Sequence, residues 1–299
     1  MFRNLFLLFL SCFVAVSCSK NAKDVSATEP LEQASDTMLR VGVLPTLDAL
    51  PFFVAKERGM FERENINVAL VSFNSAVDID TALVGNSIDA AFTELVRTEK
   101  LKANGKDTLR YLTATELGWS LVSNKVARIN NLSQFGDKMV AMTRWSATDY
   151  LTNSVFDAVT TKAQVYSVQI NDLDVRLKML LNNELDAAWL PEPQATVAVC
   201  AGHKRLVTSG KYKEKFGVIA FQKRKKGKSV TFPEDKLRKV YSMACDSINK
   251  YGIKAYAREI VEYCHVNENV VKDIPKQVYI RAEQPLEKTV AIAKGFQRR

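Results

Sequence analysis

The sequence predicts an α/β protein built as two similar lobes, each a parallel-rich sheet flanked by helices. Three observations point to it. From residue 39 onward, short β-branched runs alternate with amphipathic stretches that stop at glycines. The same order starts again near residue 139. The two series also share an echo: Asn86-Ser87-Ile88-Asp89-Ala90-Ala91-Phe92 parallels Asn183-Glu184-Leu185-Asp186-Ala187-Ala188-Trp189. An echo at the equivalent place in two βαβαβ series indicates two similarly built lobes.

In the first series, residues 39–44 form a strand ended by Pro45, and 48–58 form an amphipathic helix closed by Gly59. A strand at 66–73 follows, then a helix at 77–84 closed by Gly85, then strands at 88–92 and 109–114. In the second series, strands at 139–142, 165–170 and 185–189 alternate with helices at 147–159 and 172–181. A strand at 216–222 precedes helices at 234–251, 253–265 and 286–294, the first with Pro233 at its start and Gly252 at its end. These helices are expected to pack back on the first lobe. The chain would then cross between lobes twice, with lobe 1 at 38–122 plus 217–299 and lobe 2 at 123–216.

The residues before 38 read as an address. Arg3 is the sole charge before Lys20, and residues 5–16 are apolar apart from Ser11. That run is shorter than the roughly 20 residues a membrane span needs, and it fits the core of a signal peptide. Ala15-Val16-Ser17-Cys18 resembles the bacterial lipobox. The expectation is a signal peptide at 1–17, lipidation of Cys18, and a small, polar, disordered tether over 18–37. The protein would be exported and lipid-anchored to a bacterial membrane, on its periplasmic face or at the cell surface.

Net charge is +9, with Lys223, Arg224, Lys225, Lys226 and Lys228 in one loop. That run reads as a solvated surface, and no nucleic-acid partner is expected. Cys200, Cys245 and Cys264 are an odd set without a CxxC, so at most one disulfide can form; they are expected to be small buried apolar groups. His203 and His265 fall at element edges, away from any candidate nucleophile. The chain lacks GxSxG, Walker, HExxH and GxGxxG motifs. No catalytic residue, metal or cofactor is therefore expected.

Ligands of open α/β sheets lie outside the carboxyl ends of the strands. Those ends supply Pro45, Thr46, Leu47, Asp48, Asn74, Ser75, Thr93, Glu94, Thr115 and Glu116 from the first lobe. The second lobe supplies Arg144, Trp145, Ser146, Thr148, Trp189, Glu192 and Pro193. Asp48 is expected to cap the first helix. Ser146 through Asp149 fits a capping box, and a helix N-terminus there is also able to hold an anion; both readings stay open. Trp145 either stacks on a flat ligand or is structural. Glu94, Glu116 and Glu192 are read as ligand or turn residues, not as the acid pair of a hydrolase.

Several segments resemble one family. They are Leu39-Arg40-Val41-Gly42-Val43-Leu44-Pro45, Ala55-Lys56-Glu57-Arg58-Gly59-Met60-Phe61, Ile66-Asn67-Val68, and Asp186-Ala187-Ala188-Trp189-Leu190-Pro191-Glu192-Pro193. Together they are similar to the nitrate/sulfonate/taurine and thiamine-pyrimidine type substrate-binding proteins of ABC importers. The resemblance implies a type II periplasmic-binding-protein fold with a hinge. It implies cleft residues at Pro45 to Asp48, Ser75, Thr93, Ser146 and Glu192. Where family members often carry a glycine before the helix-opening serine, this chain has Trp145, which leans towards a flat or aromatic ligand. The function expected is a monomeric lipoprotein that closes on a small polar or heteroaromatic ligand and delivers it to the transmembrane subunits of an ABC permease. The alternatives are an enzyme of pyrimidine or thiamine-precursor chemistry on the same fold, which needs His203 or His265 in the cleft, and a surface lipoprotein without a ligand.

Overall fold

The structure, a computed structural model, describes residues 38–106, 108–211, 214–222 and 232–296. The segments expected to be a signal peptide at 1–17 and a lipidated tether at 18–37, and the basic run at 223–228, lie outside the described residues.

The first sheet opens with β1 (Met38–Val43), followed by a short 3-10 turn at Leu47–Ala49 and α1 (Leu50–Glu57). Next come α2 (Met60–Arg63), β2 (Asn67–Ser72), α3 (Ala76–Val84), β3 (Ala90–Glu94), α4 (Leu95–Ala103) and β4 (Leu109–Ala114). The second lobe contains β5 (Trp119–Ser123), β6 (Met139–Met142), α5 (Ala147–Phe156), β7 (Tyr166–Gln169) and α6 (Leu173–Leu181). It is completed by β8 (Ala187–Pro191), α7 (Gln194–Cys200) and β9 (Lys204–Thr208). The chain returns through β10 (Gly217–Gln222) to α8 (Glu234–Tyr251), α9 (Ala257–Cys264), α10 (Glu268–Val271) and α11 (Glu287–Phe296).

The two sheets have one plan. Their orders are β2-β1-β3-β10-β4 and β7-β6-β8-β5-β9. In each, the first three strands run parallel, and the fourth is antiparallel to both of its neighbours. The fourth strand is the one that arrives from the other lobe. It enters its sheet at the cleft end and therefore runs against strands whose carboxyl ends point there. The type II periplasmic-binding-protein fold expected from the sequence is the fold observed.

The shared echo has a physical cause. Asp89 accepts the Arg40 N–H of β1 at 2.8 Å, and Asp186 accepts the Met139 N–H of β6 at 2.9 Å. Each carboxylate satisfies the backbone donor one residue before the paired register of the neighbouring parallel strand begins. The registers then coincide: Val41 and Gly42 sit opposite Ala90 and Ala91, as Val140 and Ala141 sit opposite Ala187 and Ala188. Asn86 and Asn183, at φ 60° and 64°, make the left-handed turns before these strands. Asparagine is one of the few residues that takes this conformation readily.

The core of the first lobe centres on Phe52, whose ring meets Phe61 and Phe92 edge-on at 5.1 Å each and Tyr241 at 6.2 Å. Tyr241 belongs to α8, which packs on this core. Near the hinge the two cores merge. Tyr150 of α5 packs on Phe216 at 5.0 Å and on Phe296 of α11 at 5.7 Å. Gly217 lies at the returning crossover. A Cβ there would come within 2.3 Å of Thr115 Oγ1 and 2.6 Å of Leu117 Cβ, so the two crossing strands meet only through glycine.

Several boundaries differ from expectation. β5 pairs in the second sheet, so residues 119–122 belong with the second lobe and not the first. The helix expected at 48–58 begins as a 3-10 turn whose N-cap is Thr46, not Asp48. α4, α7, β5 and β9 are elements with no counterpart in the sequence reading. Cys245 and Cys264 are buried, but Cys200 is exposed on α7, where its thiol faces Asp273 Oδ2 at 3.6 Å.

Trp189 is wholly buried, and its indole N–H donates to Thr152 Oγ1 at 2.9 Å. Thr152→Val strands that donor in the core and should cost about 1–3 kcal/mol. Urea unfolding should show this as a lower midpoint with an unchanged slope.

Candidate functional site

The carboxyl ends of the parallel strands face each other across the lobes, and the loops there are bonded shut. Leu47 N–H donates to the Glu192 carbonyl at 3.0 Å, and Leu173 N–H to the Asn74 carbonyl at 3.0 Å. Gln194 Nε2 donates to the Pro45 carbonyl at 2.7 Å, and Arg97 Nη1 to the Arg144 carbonyl at 3.5 Å. Ser75 and Asp172 add an isolated antiparallel bridge.

Inside this ring lies a cavity of about 50 Å³, room for one or two waters. Thr46, Thr93 and Glu94 line it from the first lobe, and Thr143, Ser146 and Thr148 from the second. Ser146 caps α5: its Oγ accepts Thr148 N–H at 3.1 Å and donates to the Thr143 carbonyl at 2.6 Å. The Thr93 hydroxyl and Arg97 Nε are buried in the same wall with no hydrogen-bond partner among the described residues. Buried polar groups are normally paired, so these two keep hydrogen-bonding capacity unused beside the cavity.

Glu94 ends β3 and caps α4. Its carboxyl oxygens take the Val96 N–H at 2.7 Å and the Arg97 N–H at 3.2 Å. The first turn of α5, in the opposite lobe, brings Ala147 N–H near the same carboxyl. Burial pushes the Glu94 pKa up to about 8, against the pull of the Arg97 guanidinium and these N–H groups. Arg97 itself is ion-paired with Asp80. On the other side of the cavity Arg176 is fully buried, bonded to the Trp189 carbonyl at 3.0 Å, the Ile170 carbonyl at 2.9 Å and Thr143 Oγ1 at 2.5 Å. Burial lowers its pKa to about 10, with Asp172 acting in the opposite sense.

A second cavity of about 560 Å³ shares Leu117 and Trp119 with the first. It is lined by Leu47, Asp48 and Tyr279 from the first lobe, and by Glu116, Glu192 and Arg205 at the hinge and second lobe. Its charges are largely paired: Arg205 with Glu192 at 2.6 Å, Lys215 with Glu116 at 2.8 Å. Burial raises Asp48 to about 6, opposed by the hydrogen bond from Thr46 Oγ1 at 2.5 Å.

The structure thus divides the expected residues. Thr46, Thr93, Glu94, Ser146 and Thr148 meet at the small cavity; Leu47, Asp48, Glu116 and Glu192 meet at the large one. Pro45 supplies a latch carbonyl, and Ser75 caps α3 through Val77 N–H at 3.1 Å. The two tryptophans are placed elsewhere. Trp189 is core, and Trp145 is 39% exposed, with Lys100 Nζ 4.5 Å from its ring centroid. Trp145 does occupy a glycine-type backbone, at φ 55°, which Asp149 steadies by accepting its N–H at 2.8 Å. Asp149 therefore reaches the residue before Ser146, and the reciprocal capping box is not formed. Arg97, Arg176 and Thr143 were not foreseen. His203 is buried between α7 and β9, accepting Lys125 N–H at 3.2 Å, and His265 ends α9; neither lines these two cavities.

Fold and cleft together define a protein of the type II periplasmic-binding-protein class. Residues 32–118 match the model of the NMT1-like family. The chain is similar to SsuA, the periplasmic aliphatic sulphonate binding protein of Escherichia coli, with 13% identity, a TM-score of 0.68, and coverage of 87% of this chain and 90% of that one. It is similar to the alkanesulfonate-binding protein SsuA from Xanthomonas axonopodis pv. citri, solved with MOPS, at 14% identity, TM-score 0.70 and coverages of 87% and 91%. It is also similar to the periplasmic nitrate-binding protein NrtA from Synechocystis PCC 6803, at 14% identity, TM-score 0.66 and coverages of 83% and 74%. No curated protein matches the chain by sequence. The family-model match agrees with the resemblance drawn from the sequence, and the structural likenesses show the fold.

Glu94 makes stability depend on pH. Its pKa is raised from 4.5 to about 8 in the folded state, so the fold holds a proton that the unfolded chain has lost between those values. Stability should be greatest below about pH 4.5 on this account and fall as pH rises through 8. Asp48, at about 6, adds to the lower half of that window. Glu94→Gln should flatten the decline between pH 6 and 8 in urea midpoints measured across pH, leaving the Asp48 contribution.

Proposed function

We propose that this protein is an extracytoplasmic solute receptor whose lobes close on a small polar ligand and whose closed form docks on the transmembrane subunits of an ABC permease. One observation supports it above the others: a cavity shared by both lobes contains a buried Thr93 hydroxyl and a buried Arg97 Nε that have no internal partner. A ligand that pairs with them and also meets Thr143, Ser146 or Thr148 across the cavity contacts both lobes, and contact with both lobes is what favours the closed state. The structural relatives are periplasmic binding proteins, two for sulfonates and one for nitrate by name. The ligand is a small polar or heteroaromatic molecule. The lean towards an aromatic ligand rested on Trp145, and its outward ring paired with Lys100 removes that support.

Cys18 fits this reading as a membrane anchor. Acylation there, followed by a polar tether, would hold a monomeric receptor close to its permease and raise the effective concentration. Replacing Cys18 by Ala should abolish incorporation of radiolabelled fatty acid into the chain. Retention of label would remove the anchor.

Native mass spectrometry of protein purified without refolding should reveal a co-purified small molecule. Thr93→Val should then weaken its binding by about two- to tenfold in calorimetry, the worth of one hydrogen bond. A chain that carries no small molecule from native purification would argue for a surface lipoprotein without a solute.

A further inference from the structure

Two helices aim their N-termini at one point between the lobes. α4 comes from the first lobe and α5 from the second, and each begins with N–H groups that have no partner within the helix and with the positive end of a dipole. Two such ends converging on a cleft would ordinarily make an oxyanion site. Here a side chain already lies there. Glu94 is 3% exposed and takes Val96 N–H and Arg97 N–H of α4 on its two oxygens. Ala147 N–H of α5 reaches the same carboxyl. The next α5 donor, Thr148 N–H, is held by Ser146 Oγ at 3.1 Å, and the Trp145 N–H by Asp149. At this helix end Thr148 N–H and Trp145 N–H are therefore taken and Ala147 N–H faces Glu94, while Thr93 Oγ1 and Arg97 Nε have no partner among the described residues.

We propose that Glu94 is the specificity-determining residue of the cleft: its carboxyl group fills the oxyanion position between α4 and α5, excludes free sulfonates, nitrate and carboxylates, and leaves the cleft to neutral or hydrogen-bond-donating solutes. This deepens the solute-receptor reading and rests on it. The exclusion works in either protonation state. A protonated carboxyl fills the space and engages the N–H groups, and an ionised one adds like-charge repulsion. A Glu94 that served only to cap α4 would behave differently: removing it would lose stability and gain nothing.

Glu94→Ser separates the two roles. Serine is a strong N-cap and keeps the end of α4 satisfied, but it is too short to reach α5. Wild type and Glu94→Ser are titrated at pH 7 with methanesulfonate, nitrate and acetate, followed by calorimetry and by the ¹⁵N–¹H shift of Ala147. The expected result is saturable binding to Glu94→Ser at least about tenfold tighter than to wild type, as two or three charge-assisted hydrogen bonds would give. The Ala147 amide should move in the variant and stay still in wild type. Glu94→Gln, which keeps the side chain's bulk, should remain closed to all three anions and serves if the serine variant does not fold. The proposal is overturned if wild type binds any of the three as tightly as Glu94→Ser, if folded Glu94→Ser responds to none, or if Glu94→Gln admits them as the serine variant does. A free sulfonate co-purifying with wild type would also overturn it while leaving the receptor reading intact. Binding of no solute at all by wild type would overturn the receptor reading, and the anion gain in Glu94→Ser would still be scored.

Discussion

The buried carboxyl of Glu94 is the contact on which the arrangement of the two lobes turns. A helix N-terminus buried between domains presents N–H groups that must find acceptors. α4 and α5 both begin in that situation, and the Glu94 side chain caps α4 while lying against the first turn of α5. The cost is a carboxyl taken out of water, visible in its raised pKa. Around it the charges are balanced locally: Arg97 leans on Asp80, and Arg176, across the cavity, spends its guanidinium on carbonyls and Thr143. Removing one member of such a set leaves another buried without its partner, which is why these positions are expected to be far less tolerant than the paired charges of the larger cavity.

The same economy of acceptors explains how one plan was built twice. Asp89 and Asp186 each fix the start of a parallel pair, and the Ala-Ala that follows lets the neighbouring strand and its helices approach. What joins the two copies is not a linker but continuous packing. Tyr150, Phe216 and Phe296 bring α5, the returning strand and α11 into one apolar cluster. Phe216 and Gly217 lie beside one another in the chain, so the aromatic that unites the cores sits next to the residue that permits the crossover.

Much of this was legible in the sequence where burial and periodicity agree. The parallel strands, α3, α5, α6 and α8 all carry an apolar face and a clear stop, and the echo exposed the duplication. α4 was missed because its inward face includes Arg97 and Glu99, both buried and paired, and so does not read as apolar. β5 and β9 were missed because they are short and antiparallel, entered from the other lobe without a hairpin turn to announce them. The strand-end rule named five of the fifteen residues that line the small cavity. It passed over Arg97 and Arg176 because they stand one turn inside helices, where a charged residue ordinarily faces water. Trp145 misled in the other direction. Its place before Ser146 is right for the cleft, but a left-handed backbone turns its side chain outward onto Lys100.

The cross-lobe bonds bear on how such a receptor would discriminate. Each of the backbone and Gln194 contacts is worth about 0.5–1.5 kcal/mol net, and together they hold the lobes shut around a space for one or two waters. A solute shifts the balance between open and closed only by the difference in its affinity for the two states. Where the chain itself supplies the group at the two helix ends, the largest electrostatic contribution to closure is already internal. The solute is then left to act through Thr93, Arg97 and the hydroxyls of Thr46 and Thr143, a set of neutral or directional partners in which hydrogen-bond geometry, more than charge, decides what is bound. Selectivity against anions and weak dependence of affinity on ionic strength follow from the same feature, since the field an anion would respond to is terminated inside the protein.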